Sequence, residues 1–430
     1  MSALTLVGAR DGRPGMAGGA ATVGLRAVDG IVTELGPGVA AGPGDVVLDG
    51  DGLALVPGFV NGHGHAAMTL FRSYGSDLAL MTWLETMIWP AEARLTADDV
   101  YWGTRLACLE MVRSGTLRCW DMYWHPLAVA RAARDAGMRA TVGLPLIDAL
   151  DPSKSAGLRA EAVDVVEAIA ALDGQTPGGS LVAPSFAPHG IYTVSAETLA
   201  WVAEESAARA LPVQLHFLEE ESEVRGCLER TGKRPGRYLE ELGLLSPRTV
   251  LAHGCWLEDD DLVRIAAAGA TVVTNPVSNL KLATGRTFPY PRARAHGVAV
   301  GIGTDGASSN NSLDLLQDVK YFALLQKAAA GDPAAVPATE AFEVATGASA
   351  PALGGSRLEV GAPADFVLVR TDAPELNPGP LVENLVYAGT GAVVDTSVVH
   401  GRVLMRGRSV EGAEEVVARA REAARRLGVA

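Results

Sequence analysis

Cysteine is scarce in this sequence, with four residues in 430. Cys108, Cys119, Cys227 and Cys255 are too few for a disulfide scaffold, and no two form a C-x-x-C pair. Neither a zinc ribbon nor a thioredoxin-like motif is expected; the thiols read as buried and inert, in a reducing compartment. Positive charge is in deficit. Lys and Arg number 36 against 50 Asp and Glu, a net charge of −14. A domain this acidic is a poor binder of a phosphate backbone, so no nucleic-acid partner is expected. Long apolar runs are also missing. None approaches the roughly 20 residues that span a bilayer, and residues 1–12 lack a basic stretch followed by an apolar one. The expectation is a cytoplasmic protein with no membrane partner.

Apolar material is nonetheless plentiful. Hydrophobic residues make up 48% and charged residues 20%, enough for a sizeable core and unlike a disordered chain. The two ends of the chain read alike. Short apolar runs at 4–7, 21–28, 31–35 and 46–48, and again at 365–369, 393–399 and 401–405, are separated by Gly, Pro and Asp. These are strands with tight turns, and residues 413–427 follow as an amphipathic helix. The middle alternates differently. Candidate strands at 56–61, 116–121, 140–146, 181–188, 213–217, 250–253, 271–275 and 298–304 are interleaved with helical patterns, among them 97–114, 158–172, 196–210, 259–268 and 313–330. This repeated strand–helix alternation predicts parallel strands in an α/β fold, a (β/α)8 TIM-like barrel. Neither end has a large enough core alone. The expected organisation is a catalytic barrel over 58–349 and a small composite β-sandwich domain from both termini, 1–57 plus 350–430.

The polar residues fall at the expected strand ends. His63 and His65 follow the first strand, His189 the fourth, His216 ends the fifth, His253 ends the sixth and Asp305 follows the eighth. In such a barrel the C-terminal strand ends meet at one mouth, where active sites sit. His63 and His65, two apart on extended backbone, face the same side and reach one ion; Gly64 between them is read as allowing close backbone packing. Each residue alone has a plainer reading: a packed histidine, or a turn or cap aspartate. Together, three histidines and one aspartate match the N/O ligand set of zinc, with iron(II) as the other ion the set accepts. Such an ion lowers the pKa of water to about 7. Glu219, three residues past His216, would then move protons, and His253 would hold the activated water.

The stretch Pro57-Gly58-Phe59-Val60-Asn61-Gly62-His63-Gly64-His65, with His216, His253 and Asp305, resembles the amidohydrolase superfamily. More narrowly, the chain resembles the 5-methylthioadenosine/S-adenosylhomocysteine deaminases. Residues 68–72, 83–85, 88–93, 275–283, 303–306 and 309–311 carry that closer likeness, and 361–365 resembles the return into the composite β-domain. The resemblance implies hydrolytic deamination of the adenine ring of a nucleoside: 5'-methylthioadenosine, adenosine or 5'-deoxyadenosine, with S-adenosylhomocysteine less favoured. It implies His63, His65, His216 and Asp305 as ligands of one divalent metal, Glu219 as proton shuttle, His253 as orienter of the nucleophile and Asp305 as its proton acceptor. Glu92 would bind the ribose hydroxyls, His189 the ribose or its 5' side, and Trp83 and Trp89 would line the pocket. It also implies a homo-oligomer, dimer or tetramer. Two departures stand out. Gly64 replaces a common Thr, and the third strand end offers Leu144 and Pro145 where an Arg would bind an amino-acid carboxylate. Arg72 and Arg286 are the candidates to compensate. The rival reading is a deaminase or hydrolase of another amino-heterocycle, such as aminodeoxyfutalosine, guanine or a triazine.

Overall fold

A computed structural model describes residues 3–13, 22–78, 80–172 and 180–429. Residue 21, at the start of the expected strand 21–28, lies outside the described residues. Five strands come first: β1 (Ala3–Asp11), β2 (Thr22–Val28), β3 (Ile31–Gly36), β4 (Val46–Asp49) and β5 (Leu53–Pro57). Eight follow in the middle of the chain: β6 (Phe59–Gly64), β7 (Thr116–Met122), β8 (Arg139–Leu146), β9 (Val182–Pro188), β10 (Val213–Phe217), β11 (Thr249–His253), β12 (Thr271–Thr274) and β13 (Ala299–Ile302). Three close the chain: β14 (Phe366–Arg370), β15 (Val394–Val399) and β16 (Arg402–Met405).

Strands β6 to β13 pair in sequence order, each parallel to the next. Helices join most of them, among them Ala97–Arg113, Ser155–Ala170, Ala196–Arg209 and Asp259–Ala268, and Leu315–Ala330 follows the last. Local signals fix their starts. Thr96 and Asp99 form a reciprocal capping box on the first, and Ser195 accepts the Thr198 amide on the third. The seam between β6 and β13 is sealed by residues just past the end of β13. The Asp305 amide donates to the His63 carbonyl at 3.1 Å. The Asn61 side chain bonds the Thr304 amide at 3.0 Å and its hydroxyl at 2.7 Å. Gly303 is required here, because a Cβ would lie 2.9 Å from His63 N and 2.5 Å from the Asn275 side chain. The barrel is the predicted eightfold α/β architecture.

The terminal strands form one mixed sheet, in the order β16-β15-β14-β5-β1-β2-β3, with β4 also beside β1. Its central strands are buried on both faces. In β14, Phe366 and Leu368 join a small core with Leu4, Leu6, Leu25 and Leu55, while Val367 and Val369 join the large core that packs around the barrel. That two-sided burial explains why Phe-Val-Leu-Val reads as a continuous apolar run instead of an alternation. The expected first barrel strand, 56–61, is in fact divided. Val56 and Pro57 end β5 in the mixed sheet, pairing with β14, and the barrel strand begins at Phe59. Gly58 lies between, where a Cβ would sit 2.3 Å from Leu117. The C-terminal helix Ala413–Leu427 packs on the barrel helix Ala97–Arg113, with Arg426 bound to Asp99. Among the described residues, no helix is long and apolar enough to cross a membrane.

Candidate functional site

The barrel mouth gathers the side chains that end its strands. The His63 ring centroid lies 5.0 Å from that of His65, 4.9 Å from His216 and 5.4 Å from His253. His65 Nε2 is 3.2 Å and His63 Nε2 is 3.6 Å from Asp305 Oδ1, and His216 Nε2 is 3.4 Å from His65 Nε2. The ligand atoms of His63, His65 and Asp305, and separately those of His63, His216 and His253, fall within 4.8 Å of one another. Glu219 stands beside this cluster, its Oε2 3.7 Å from His253 Nε2.

Strained backbone aims these groups. Leu218, His253 and Asp305 take left-handed φ values of 53°, 77° and 60°. Each such residue costs about 1–3 kcal/mol and persists only where its surroundings hold it. Here the amides of Gly254 and Trp256 donate to the carbonyls of Phe217 at 2.9 Å and Leu218 at 3.0 Å, and the seam bond holds Asp305. The chain turns off each strand at the level of the cluster, so Glu219, His253 and Asp305 all line one pocket.

The histidine tautomers suit a cation. His65 Nδ1 lies 2.6 Å from the Met122 carbonyl and His216 Nδ1 lies 2.7 Å from the His189 carbonyl. A carbonyl only accepts, so each Nδ1 carries the proton and each Nε2 presents a lone pair. In neutral rings those two lone pairs, 3.4 Å apart, would repel unless a positive charge, a proton or a metal ion, lies between them. His63 Nε2 is buried with no hydrogen-bond partner, which costs about 1–3 kcal/mol if nothing else binds it. Burial, with the neighbouring imidazoles, holds His63 and His216 well below the usual histidine range, in the neutral form that ligates. Burial opposes charging of His65 too, yet the hydrogen bond and charge of Asp305 outweigh it and push that imidazole up to about 9. Burial likewise works against the Asp305 carboxylate, but His65 and the other imidazoles hold it well below the usual range. The cluster thus demands a positive charge, and three nitrogens with one carboxylate oxygen fit a single divalent metal ion.

A second ring of residues orients this one. Asp305 Oδ2, turned from the histidines, accepts the hydroxyls of Ser278 at 2.7 Å and Ser309 at 3.0 Å. His253 Nδ1 lies 2.9 Å from Asn279 Oδ1 and 3.2 Å from Asn275 Nδ2. The shorter contact makes Nδ1 the donor, leaving Nε2 free to accept on the pocket side. His189 lines the pocket, its Nδ1 2.9 Å from the Thr193 hydroxyl; burial, then the charges of His65 and His253, brings it down to about 4. Glu219 and Glu92 are both raised, mainly by burial. Glu92 accepts the Trp124 indole N–H at 3.1 Å. Tyr123 and Tyr192 also line the pocket. Sequence reasoning assigned no role to Tyr123, Trp124, Tyr192, Ser278, Asn279 or Ser309. A signal existed for three of them, since Ser278, Asn279 and Ser309 lie in the segments that carried the resemblance.

The remaining candidates separate. Trp83 and Trp89 both line the pocket, Trp83 buried with its indole on the Tyr74 carbonyl, Trp89 42% exposed at the rim. Arg72 is committed to Glu110 and the Asn311 carbonyl. Arg286 pairs with Glu258 at 2.8 Å and stacks 4.1 Å above Trp256. Neither reaches the pocket wall, and among the described residues no Lys or Arg lines it; Pro145 and Ile147 do. The steric reading of Gly64 is corrected. A Cβ there would meet nothing closer than 3.4 Å, an ordinary contact, so close packing does not require this glycine.

Several known proteins resemble this chain. A sequence model of the amidohydrolase family matches residues 54–404. A 5'-deoxyadenosine deaminase of Methanoregula boonei is 46% identical over 390 residues, 90% of this chain and 87% of that one. The 5-methylthioadenosine/S-adenosylhomocysteine deaminase 1 of Archaeoglobus fulgidus is 41% identical over 389 residues, 89% of this chain and 90% of that one. Among solved structures, an adenosine deaminase from Xanthomonas campestris with bound zinc superposes with a TM-score of 0.90 at 31% identity, over 99% of both chains.

Proposed function

The chain belongs to the amidohydrolase family, and on that premise we propose that it hydrolytically deaminates the adenine ring of a nucleoside carrying a small uncharged 5' group. The carrying observation is that the ligand atoms of His65 and Asp305 on one side, and of His216 and His253 on the other, gather around His63, with Glu219 beside His253. Zinc is the proposed ion, supported by the N/O donor set and by the zinc-bound adenosine deaminase relative. The chemistry supplied by a metal held there is Lewis acidity, which makes water nucleophilic at neutral pH.

This chain's own residues do the rest. Glu219, its carboxyl raised by burial, gives a proton to purine N1, which makes C6 electrophilic. The attacking water donates a hydrogen bond to His253 Nε2 and loses one proton to the Asp305 carboxylate as it adds to C6. Asp305 passes that proton to the departing amine, and the new hydroxyl at C6 returns its own to Glu219. The products are the inosine analogue and ammonia, and both carboxyl groups end as they began. Glu92, oriented by the Trp124 indole, offers its carboxylate to the ribose diol, and His189 faces the ribose or its 5' side. Trp83 and Trp89 wall the nucleoside site.

The absence of Lys and Arg from the described pocket wall supports 5'-methylthioadenosine, adenosine and 5'-deoxyadenosine over S-adenosylhomocysteine, whose amino-acid carboxylate would lie unpaired. The four cysteines are free and buried, which supports a reducing, cytoplasmic setting. The test is the ultraviolet change of adenine-to-hypoxanthine conversion across those nucleosides, with adenine and guanine as controls. Turnover of the nucleosides with Glu219→Gln inactive but metal-loaded is expected. Turnover of guanine or a triazine, and of none of the nucleosides, would refute the assignment.

A further inference from the structure

One buried carboxylate beside the site has no part in that chemistry. Glu223 is 4% exposed and lies in the first turn of the helix Glu221–Thr231, four residues past Glu219. Its Oε2 accepts the backbone N–H of Glu219 at 3.2 Å. The bond resembles the return half of a capping box, in which a residue in the first helical turn reaches back to an amide before the helix. Here it reaches one residue further, past the N-cap Glu220, to the residue proposed to move the proton.

The place it holds is the strained one. Leu218, just ahead of Glu219, is fully buried with φ 53°. Backbone bonds hold the carbonyl side of this turn through Gly254 and Trp256. On the amide side of Glu219 the partner is a side chain, Glu223. Without it, a buried N–H would be left unpaired and the turn would be held from one side only. We infer that Glu223 is a positioning residue, fixing the Leu218–Glu219 turn so that the Glu219 carboxyl stays at the substrate and beside His253. The role needs an acceptor oxygen rather than a charge. Burial pushes the Glu223 carboxyl up to about 8, against the opposing Leu218 and Glu219 amides, and its Oε1 is buried without a partner. A protonated acid, or an amide, presents the same accepting oxygen.

This inference rests on Glu219 as the proton carrier, so the experiment includes Glu219→Gln as a separate arm. Glu223→Met keeps the volume and removes the acceptor; Glu223→Gln keeps the acceptor and removes the charge. The measurements are kcat, KM, zinc content and thermal melting of the full-length enzyme. Glu223→Met is expected to lower kcat at least about tenfold, the equivalent of about 1.4 kcal/mol, with KM, zinc content and a cooperative melt preserved. Glu223→Gln is expected to restore kcat to near the wild-type value. An unchanged kcat in Glu223→Met, an equal loss in both variants, or loss of zinc or of cooperative melting in Glu223→Met would overturn the inference. An active Glu219→Gln enzyme would instead overturn the proposed chemistry, whatever Glu223 does.

Discussion

Ser278→Ala removes one of the two hydroxyls that hold Asp305. The Ser278 hydroxyl donates to Asp305 Oδ2 over 2.7 Å, and both residues are buried, so water has little access to replace it. A hydrogen bond to a charged group contributes about 1.5–3 kcal/mol. At a factor of ten for each 1.4 kcal/mol, the loss is about 10- to 150-fold. Groups that orient metal ligands act on affinity or turnover by a similar margin, roughly 10- to 100-fold. Ser309 donates over 3.0 Å and also reaches the Gly306 carbonyl at 3.2 Å, so Ser309→Ala should fall at the lower end. The two hydroxyls lie 2.9 Å apart and share one acceptor, so the double variant should depart from additivity. Competition with a chromogenic chelator gives zinc affinity, and kcat at saturating zinc gives the catalytic share. A Ser278→Ala enzyme within about threefold of wild type in both would refute the reasoning.

Glu92→Ala should lower kcat/KM for adenosine by about 10- to 150-fold, one or more charge-assisted bonds, yet hardly change it for 2',3'-dideoxyadenosine; equal losses on both would contradict the diol contact. S-adenosylhomocysteine should be used at least about tenfold less well than 5'-methylthioadenosine, since its carboxylate has no cationic partner in the pocket; parity in kcat/KM would contradict that. Stability should fall as pH rises from the ordinary glutamate range through about 8 because Glu223 is raised to about 8 by burial. In that window the folded state holds a proton that the unfolded state has released, costing up to about 1.4 kcal/mol per pH unit. Glu223→Gln should flatten that limb of a melting-temperature profile, and an unaltered slope would contradict the shift.

The barrel and the cluster of side chains at its mouth were legible because both leave a local trace. Each barrel strand is a short apolar run before a helix, and His63, His65, His216, His253 and Asp305 each stand at the end of such a run, where the fold brings all ends to one mouth. The division at Gly58 left only the Pro57-Gly58 pair, a turn signal masked by the apolar run around it. Residues 54–61 are buried without interruption, and the pairing of β5 with β14, some 300 residues on, separates the two strands. The roles of the supporting side chains were harder to read. Ser278 meets Asp305 from the helix Pro276–Lys281, Ser309 meets it from four residues further along Asp305's own connection, and Trp124 meets Glu92 from a different strand end. Nothing in the spacing of any of them announces a partner. The glycines show the limit most plainly: Gly64, inside the metal motif, has room for a side chain, while Gly303 does not. Arg72 and Arg286 were open candidates by composition alone, and their ion pairs with Glu110 and Glu258 remove them.

The central claim is that four side chains at the barrel mouth grip one divalent ion. Anomalous diffraction across the zinc edge, on crystals of the purified enzyme, tests it most directly. The account predicts a single peak per chain, within about 2.0–2.2 Å of His63, His65, His216 and Asp305. A zinc peak held by other residues, or an active enzyme with no metal peak at that point, would contradict it.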